Sequence, residues 1–252
     1  TQTPHRSRRE LSAILGVEAA RIRVVAPDVG GAFGMKASLY PEEVLAVWAA
    51  FHHRRDVKWT ASRSEEFLAA SHGRGVESFG RLALDHEGRF LALQARVEAP
   101  LGHWLPSSAL IPAWNAARIL PGGYRLAAVD IETNALAHHL APTGIYRGAG
   151  RPEATCLMER LVDKAARTTG LDPFTIRQRN LLAAADLPYR TATGNVLDSG
   201  DYGRALAKLR EKADVADAVA RREACRAAGG LAGIGVAFYL EPSGSGWESA
   251  EI

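Results

Sequence analysis

The chain has 252 residues, 47% hydrophobic and 23% charged, which suffices for one large or two ordinary domains and excludes a wholly disordered protein. Its 31 basic and 28 acidic residues leave a net charge of +3, without the Lys/Arg runs of nucleic-acid-binding arms. No apolar run reaches the ~18 residues of a membrane span. We therefore expect neither a nucleic-acid partner nor a membrane span.

The chain has two cysteines. Cys156 and Cys225 are far apart and belong to no CxxC pair, which excludes a Cys-ligated iron–sulfur cluster or a structural zinc site within the chain. This cysteine usage suits a reducing compartment, so we expect a cytoplasmic protein. Neither end of the sequence has the features of a natural terminus, and we expect a piece of a longer protein.

The first part of the chain predicts helices separated by short strands. Apolar residues at helical spacing predict helices at residues 4–15, 40–51 and 64–70. Runs of β-branched and aromatic residues predict strands at residues 21–26 and 57–60.

Between residues 75 and 100 the apolar residues alternate with a period of two, which is typical of strands. Asp85-His86-Glu87-Gly88 within this stretch predicts the turn of a hairpin. More alternating strand lies within 124–139, and a strong helix runs from 154 to Gly170. The remaining elements are three helices and a buried strand, at 173–182, 201–214, 216–228 and 231–240. The mixture predicts an α+β fold with mixed and antiparallel sheets.

Two glycine-rich loops each lead into a helix, which places backbone N–H groups at a positive helix end and favours an anionic ligand. The first loop (PDVGGAFGMK, 27–36) matches neither GxGxxG nor GxxxxGK[ST]. Its aromatic residue between glycines suggests a ring presented to a flat ligand. A plain glycine turn before a helix is the alternative.

The second loop spans residues 146–153 and contains Arg147 and Arg151 among small residues. Arginine carries a fixed charge and five donors, which suits a phosphate or another oxyanion. The alternative is that Arg151 forms a surface ion pair with Glu153 or Asp163.

Three stretches in the same order and spacing carry a family resemblance: PDVGGAFGMK, IYRGAGRPEA and ERLVDKAARTTGLDPFTIRQRNLL. The chain resembles the molybdenum-binding large subunit of the xanthine dehydrogenase and aldehyde oxidase family, in particular its bacterial carbon-monoxide-dehydrogenase-like group. The resemblance implies a first molybdopterin-binding domain at 1–190, a helical connector at 191–230 and the start of a second molybdopterin-binding domain at 231–252.

The resemblance also implies a molybdopterin cofactor with molybdenum, in the cytosine dinucleotide form, whose dithiolene sulfurs hold the metal. Gln2 would hydrogen-bond the apical oxygen of the molybdenum. The two loops would bind the cofactor through Gly31, Ala32, Phe33, Gly34, Arg147, Gly148 and Ala149. No side chain of this chain is expected to bind the metal directly.

Departures from the family pattern limit the substrate. Ala37, Asn115 and Ala149 stand where purine-oxidising members carry an acidic residue, an arginine and a phenylalanine. The second loop also lacks the cysteine of members with a copper–molybdenum centre, so neither a purine nor carbon monoxide is predicted. Ala32 and Met35 replace usual glycines, and we expect a slight adjustment of the first loop there.

The family's general base is a glutamate beyond Ile252, so no catalytic residue is assigned within this chain, and Glu241, Glu248 and Glu251 are not candidates. The resemblance implies oxidative hydroxylation of an aldehyde or aromatic N-heterocycle with water. Electrons would pass to a small iron–sulfur subunit and an FAD-binding subunit, in a dimer of heterotrimers. Some relatives are exported as assembled complexes, which makes the periplasm the alternative location.

Two other functions stay open at this point. One is a molybdopterin-binding module or degenerate paralogue without catalysis, and the other is a domain that binds anions without selectivity.

Overall fold

The computed structural model describes residues 1–241 and shows a mixture of helices and sheets, which confirms the predicted α+β class. A three-stranded sheet has the strand order β1-β2-β3, and β4 and β5 form an antiparallel pair in which Tyr189 faces Leu197. None of the helices in residues 1–241 combines the length and apolar composition that a bilayer crossing requires. The longer elements are α1 (Pro4–Leu15), α2 (Pro41–His53), α3 (Arg63–Ala69), β1 (Glu77–Leu84), β2 (Phe90–Gly102), α4 (Ile111–Ile119), β3 (Ala128–Ala137), α5 (Arg151–Thr169), α6 (Pro173–Asn180), β4 (Tyr189–Arg190), β5 (Val196–Leu197), α7 (Tyr202–Lys212) and α8 (Val215–Ala227).

The predicted helices form where local signals support them. α1 ends at Gly16, which adopts φ 64° and donates its N–H to Ser12. Asp172 caps α6 by accepting from the backbone N–H groups of Phe174 and Thr175. The hairpin between β1 and β2 also forms, because Asp85 accepts from the N–H groups of Glu87 and Arg89 across the turn.

Three predicted strands are wrong: the segments 21–26, 57–60 and 231–240 are not strands. A β-type composition creates a strand only where another strand supplies hydrogen-bond partners. In the segment 231–240, side chains supply them instead, because Phe238 N–H donates to Glu159 and Val236 C=O accepts from Arg177. The turn predicted at 242–246 lies outside the described residues.

The helix α4 was not predicted. It has only nine residues, which is too short for a strong periodic signal.

The chain divides into two compact units. Unit 1 comprises 1–78, 96–117 and 132–153, and unit 2 comprises 79–95, 118–131 and the chain from 154 onward. Unit 2 has the larger apolar core, which includes Tyr124, Met158, Val162 and Ile176. The buried hydrophobic residues of unit 1 are mostly small, and none of its aromatic residues is fully buried.

Candidate functional site

The first glycine-rich loop folds into a turn with several exposed backbone donors. Gly31, Phe33 and Gly34 have φ values of 97°, 52° and 96°, and the Phe33 ring is 60% exposed. Within residues 1–241, the N–H groups of Gly31, Ala32 and Phe33 have no hydrogen-bond partner. Neighbouring amides in a turn of this kind form a concave surface for an anion.

Gln2 is fastened to the first loop. Its backbone N–H donates to Lys36 C=O at 2.9 Å, and its side-chain Oε1 accepts from Gly34 N–H at 3.1 Å. The Nε2 group has no partner within the described residues, and the side chain is exposed. Gln2 therefore retains amide donors beside the exposed amides of the loop.

The second loop contacts the first through the backbone, since Arg147 N–H donates to Phe33 C=O at 2.9 Å. The Arg147 side chain is exposed. Ala149 N–H donates to Tyr146 C=O at 2.7 Å and is thus used within the turn, whereas Gly148 N–H has no partner in residues 1–241. The fold thus brings seven of the predicted cofactor-binding residues into two joined loops of unit 1 and holds the eighth, Gln2, against the first loop.

Arg74 supports the second loop, a role that the sequence analysis missed. Its Nη2 donates to Arg147 C=O, its Nη1 lies 3.3 Å from the Glu153 carboxylate, and its guanidinium carbon lies 4.6 Å from the centroid of the Tyr146 ring. The sequence signal for this role is that Arg74 stands between Gly73 and Gly75. Gly73 marks a close approach to the second loop, because a Cβ at this position would lie 2.6 Å from Tyr146 Cβ.

The helix α4 also supports the second loop. Asn115 Nδ2 donates to Ala149 C=O at 2.9 Å. A Cβ at Gly150 would lie only 2.0 Å from Pro112 C=O, so this close approach requires glycine. Asn115, which replaces an arginine of the purine-oxidising pattern, therefore holds the backbone of the loop.

Hydroxyl groups link the segments that carry the loops. Ser108 Oγ lies 2.9 Å from Ser38 Oγ and accepts from Ile145 N–H at 3.3 Å. The Tyr40 hydroxyl donates to Met35 C=O at 3.0 Å. Burial raises the pKa of the Tyr40 phenol, so this hydroxyl stays protonated and remains a donor.

Other candidate residues lie elsewhere. Glu153 pairs with Arg74 and Asp163 with Arg177, while Arg151 donates to Gly148 C=O. Glu248 and Glu251 lie outside the described residues. No group of three or more His, Cys, Asp or Glu side chains could hold a metal ion in the described part of the chain.

The joined loops combine exposed amides, an arginine and an exposed aromatic ring, which are groups suited to a planar anionic ligand. The model of the molybdopterin cofactor-binding domain family matches residues 1–181, and the chain belongs to this family.

Relatives of the chain include large subunits of enzymes. The chain is 32% identical over 247 residues to the nicotine 6-hydroxylase large subunit of Paenarthrobacter nicotinovorans, covering 97% of this chain and 30% of that protein. It is 33% identical over 253 residues to the carbon monoxide dehydrogenase large chain of Hydrogenophaga pseudoflava, covering 98% of this chain and 31% of that protein. These relatives confirm the family that the sequence motifs indicate.

The fold is similar to that of quinoline 2-oxidoreductase from Pseudomonas putida 86, with a TM-score of 0.87 and 35% sequence identity. The similarity covers 91% of this chain and 29% of that chain. The chain thus spans about 30% of the length of the curated relatives, in agreement with the expectation that it is one portion of a large subunit.

Proposed function

We propose that this chain is the part of a molybdenum hydroxylase large subunit that binds molybdopterin through its two joined loops. The observation that carries the proposal is the hydrogen bond from Arg147 N–H to Phe33 C=O, which brings the two loops together. The proposed contacts are made by Gln2, Gly31, Ala32, Phe33, Gly34, Arg147, Gly148 and Ala149.

The residues present fit the chemistry of the cofactor. The pterin is planar, so the exposed Phe33 ring suits it as a stacking partner. The phosphate is anionic, so the Arg147 guanidinium suits it as a cation. Further hydrogen-bond donors for the phosphate are the unpartnered backbone N–H groups of Gly31, Ala32, Phe33 and Gly148. When bound, molybdenum with its pterin supplies the two-electron redox chemistry.

The chain's own residues bind and orient the cofactor. Gln2 keeps its Nε2 donors available while Gly34 N–H fixes its Oε1, so the amide has a defined orientation. Ala149 contributes through its backbone conformation, because its N–H is used within the turn and its C=O accepts from Asn115. These roles position the cofactor and require no proton transfer by this chain.

For the whole protein we propose oxidative hydroxylation of an aldehyde or aromatic N-heterocycle with water. Similarity to a nicotine 6-hydroxylase and a quinoline 2-oxidoreductase supports the heterocycle. Further parts of the proposal are the cytosine dinucleotide form, iron–sulfur and FAD partner subunits in a dimer of heterotrimers, a cytoplasmic location, and the domain division at 1–190, 191–230 and 231–252.

A molybdopterin-binding module without catalysis is the second candidate function. The geometry supports it equally, because both loops are proposed to serve binding and no general base is assigned among residues 1–241. The two functions differ in whether the remainder of the subunit contains a glutamate that acts as general base. Its presence supports the hydroxylase, and its absence supports the binding module.

The experiment is to replace Arg147 with Ala in the complete subunit and to measure molybdenum and pterin per protein. Loss of a charge-assisted hydrogen bond should weaken cofactor retention by about tenfold or more. Phe33→Ala should also lower retention. Arg167→Ala, on the exposed side of α5, is the matched control and should leave both contents unchanged. Full cofactor content in Arg147→Ala and Phe33→Ala would contradict the proposed site.

A further inference from the structure

The segment 231–240 has the alternating burial of a strand but belongs to no sheet. Val236, Phe238 and Leu240 are half-buried and pack against the core of unit 2, whereas the two residues between them are exposed. Within residues 1–241, no backbone group of this segment bonds to another backbone group. The anchors that hold the segment on unit 2 are therefore side chains.

The buried ion pair between Arg177 and Glu159 holds one edge of the segment. Arg177 Nη2 donates to Val236 C=O at 2.8 Å, and Glu159 Oε2 accepts from Phe238 N–H at 2.8 Å. A residue of a parallel partner strand bonds in the same way, because its N–H and C=O bridge a carbonyl and the amide two residues further on. The Tyr124 hydroxyl donates to Glu159 at 2.6 Å and helps to fix the carboxylate. The ion pair thus takes the place of a strand residue.

The Phe238 ring fixes the register of the segment. Its centroid lies 6.3 Å from that of the Tyr124 ring and 5.5 Å from that of the Tyr202 ring. A Cβ at Gly123 would lie 2.8 Å from Phe238 Cε1, so the ring occupies the space that the missing side chain leaves. A shift of two residues would keep the alternation and the hydrogen-bonding edge, but it would place an aliphatic side chain in this aromatic slot. The slot therefore selects one register.

We propose that the ion pair and the aromatic slot position the second molybdopterin-binding domain, which begins at residue 231 in the proposed division of the subunit. Gly123, Glu159, Arg177 and Phe238 are then positioning residues for the cofactor, although they lie outside the two loops. A buried ion pair suits this task, because specifying one arrangement is the best-attested use of such a pair. The inference rests on the proposed function, since it requires that both domains hold the cofactor.

Gly123→Ala in the complete subunit tests the positioning role. Gly123 has no positive φ, so alanine adds no backbone strain, and the new Cβ displaces the Phe238 ring. We expect molybdenum and pterin per protein to fall about threefold or more. Phe238→Leu offers a smaller side chain to the narrowed slot, so Gly123→Ala/Phe238→Leu should regain most of the lost content. Failure of this rescue would overturn the role of the slot.

Gly80→Ala is the matched control. Gly80 also belongs to unit 2, and a Cβ there would lie 2.8 Å from Leu161 Cδ1 on α5. This variant crowds the core without displacing Phe238, so it should lower the melting temperature and leave the molybdenum content unchanged. Equal losses of molybdenum in Gly80→Ala and Gly123→Ala would show a general effect of crowding and would overturn the proposal.

Hydrogen exchange in the complete subunit follows the segment directly. Amides of 236–240 should exchange about fivefold or more faster in Gly123→Ala than in the native protein, and at native rates in Gly80→Ala. Native rates in Gly123→Ala, or faster exchange with full molybdenum content, would overturn the proposal. Arg147→Ala and Phe33→Ala test the cofactor site itself, so failure of the positioning role and failure of the proposed function are distinguishable.

Discussion

Phe33 and Ala149 adopt left-handed backbone conformations, with φ of 52° and 41°. Such a conformation costs a residue with a side chain about 1–2 kcal/mol. Both carbonyl groups are tied to the supporting structure: that of Phe33 by Arg147 N–H and that of Ala149 by Asn115 Nδ2. Strain held in this way is typical of ligand-binding loops, which supports the proposed site.

Ala32 and Met35, which replace usual glycines, do not have positive φ values. The positions that need an unusual conformation are Phe33 and the glycines beside it. Replacing a glycine costs little where the backbone already has a negative φ.

Arg74 is predicted to position the second loop for the cofactor. Arg74→Ala removes the donor to Arg147 C=O and the contact with the Tyr146 ring, so molybdenum per complete subunit should fall severalfold. Arg74→Lys keeps a charge near Glu153 but not the planar fork, and should restore the content only partly.

A matched pair separates this role from backbone strain. Arg74 and Arg54 both have positive φ values, of 67° and 51°. Glycine relieves the strain at either position, but only Arg74→Gly removes loop contacts, so only Arg74→Gly should lower the molybdenum content. Equal contents in Arg74→Gly and Arg54→Gly would refute the positioning role.

At the scale of elements, the hairpin and the helices other than α4 were predictable because their signals are local. The turn between β1 and β2 needs an acceptor at Asp85 and a glycine at Gly88, whose φ is 82°. The segments 21–26 and 57–60 have comparable strand composition, but a strand depends on a partner that local sequence does not specify.

The Asp85 turn makes a pH-dependent contribution to stability. Hydrogen bonds from the backbone N–H groups of Arg89 and Glu87 lower the pKa of Asp85 below its ordinary value of 3.8. A lowered folded-state pKa means that the stabilisation is present above pH 3.8 and is lost as the pH falls through the folded-state pKa.

Asp85→Asn keeps an oxygen acceptor but removes the titrating charge. The melting temperature of the native protein should therefore exceed that of Asp85→Asn at about pH 6, and the difference should shrink towards about pH 2. Thermal unfolding of both proteins across this range measures the effect. A difference that stays constant with pH would show that the charge makes no contribution.

At the scale of the whole molecule, a buried polar network joins distant parts of unit 2. Arg177 is fully buried and donates to Glu159 at 2.9 Å, to Asp163 at 2.8 Å and to Val236 C=O at 2.8 Å. Glu159 also accepts from the Tyr124 hydroxyl at 2.6 Å and from Phe238 N–H at 2.8 Å. Burial is the largest single influence on the pKa of Arg177 and lowers it. The charge of Glu159, the neighbouring Tyr124 and the hydrogen bonds to Asp163 and Glu159 together outweigh burial, so the pKa is raised.

Removing Arg177 is predicted to destabilise the protein strongly. Arg177→Met leaves the Glu159 carboxylate buried without its cation, which should cost about 3–5 kcal/mol in urea unfolding. The double variant Arg177→Met/Glu159→Leu should recover part of the loss.

Arg210→Met is the control, since Arg210 is 53% exposed and pairs with Asp172 at 3.6 Å. That variant should change the free energy of unfolding by about 1 kcal/mol or less. Similar losses in Arg177→Met and Arg210→Met would mean that burial of the network is energetically unimportant.

The sequence by itself determined the fold class, most helix bounds, the hairpin turn and the residues proposed to bind the cofactor. These depend on periodicity, capping residues and motifs, which are properties of neighbouring residues. The order of the three motifs also identified the family, which the comparisons confirm.

Only the tertiary structure decided the contacts that build the site and the core. Arg147 N–H donates to Phe33 C=O, and Arg74 and Asn115 hold the second loop. In unit 2, Glu159 is buried beside Arg177. Each contact joins residues far apart in the chain, and no local pattern encodes such a pairing. The unformed strands have the same cause: side-chain pattern sets which residues favour a sheet, while pairing with a partner segment decides whether the sheet forms.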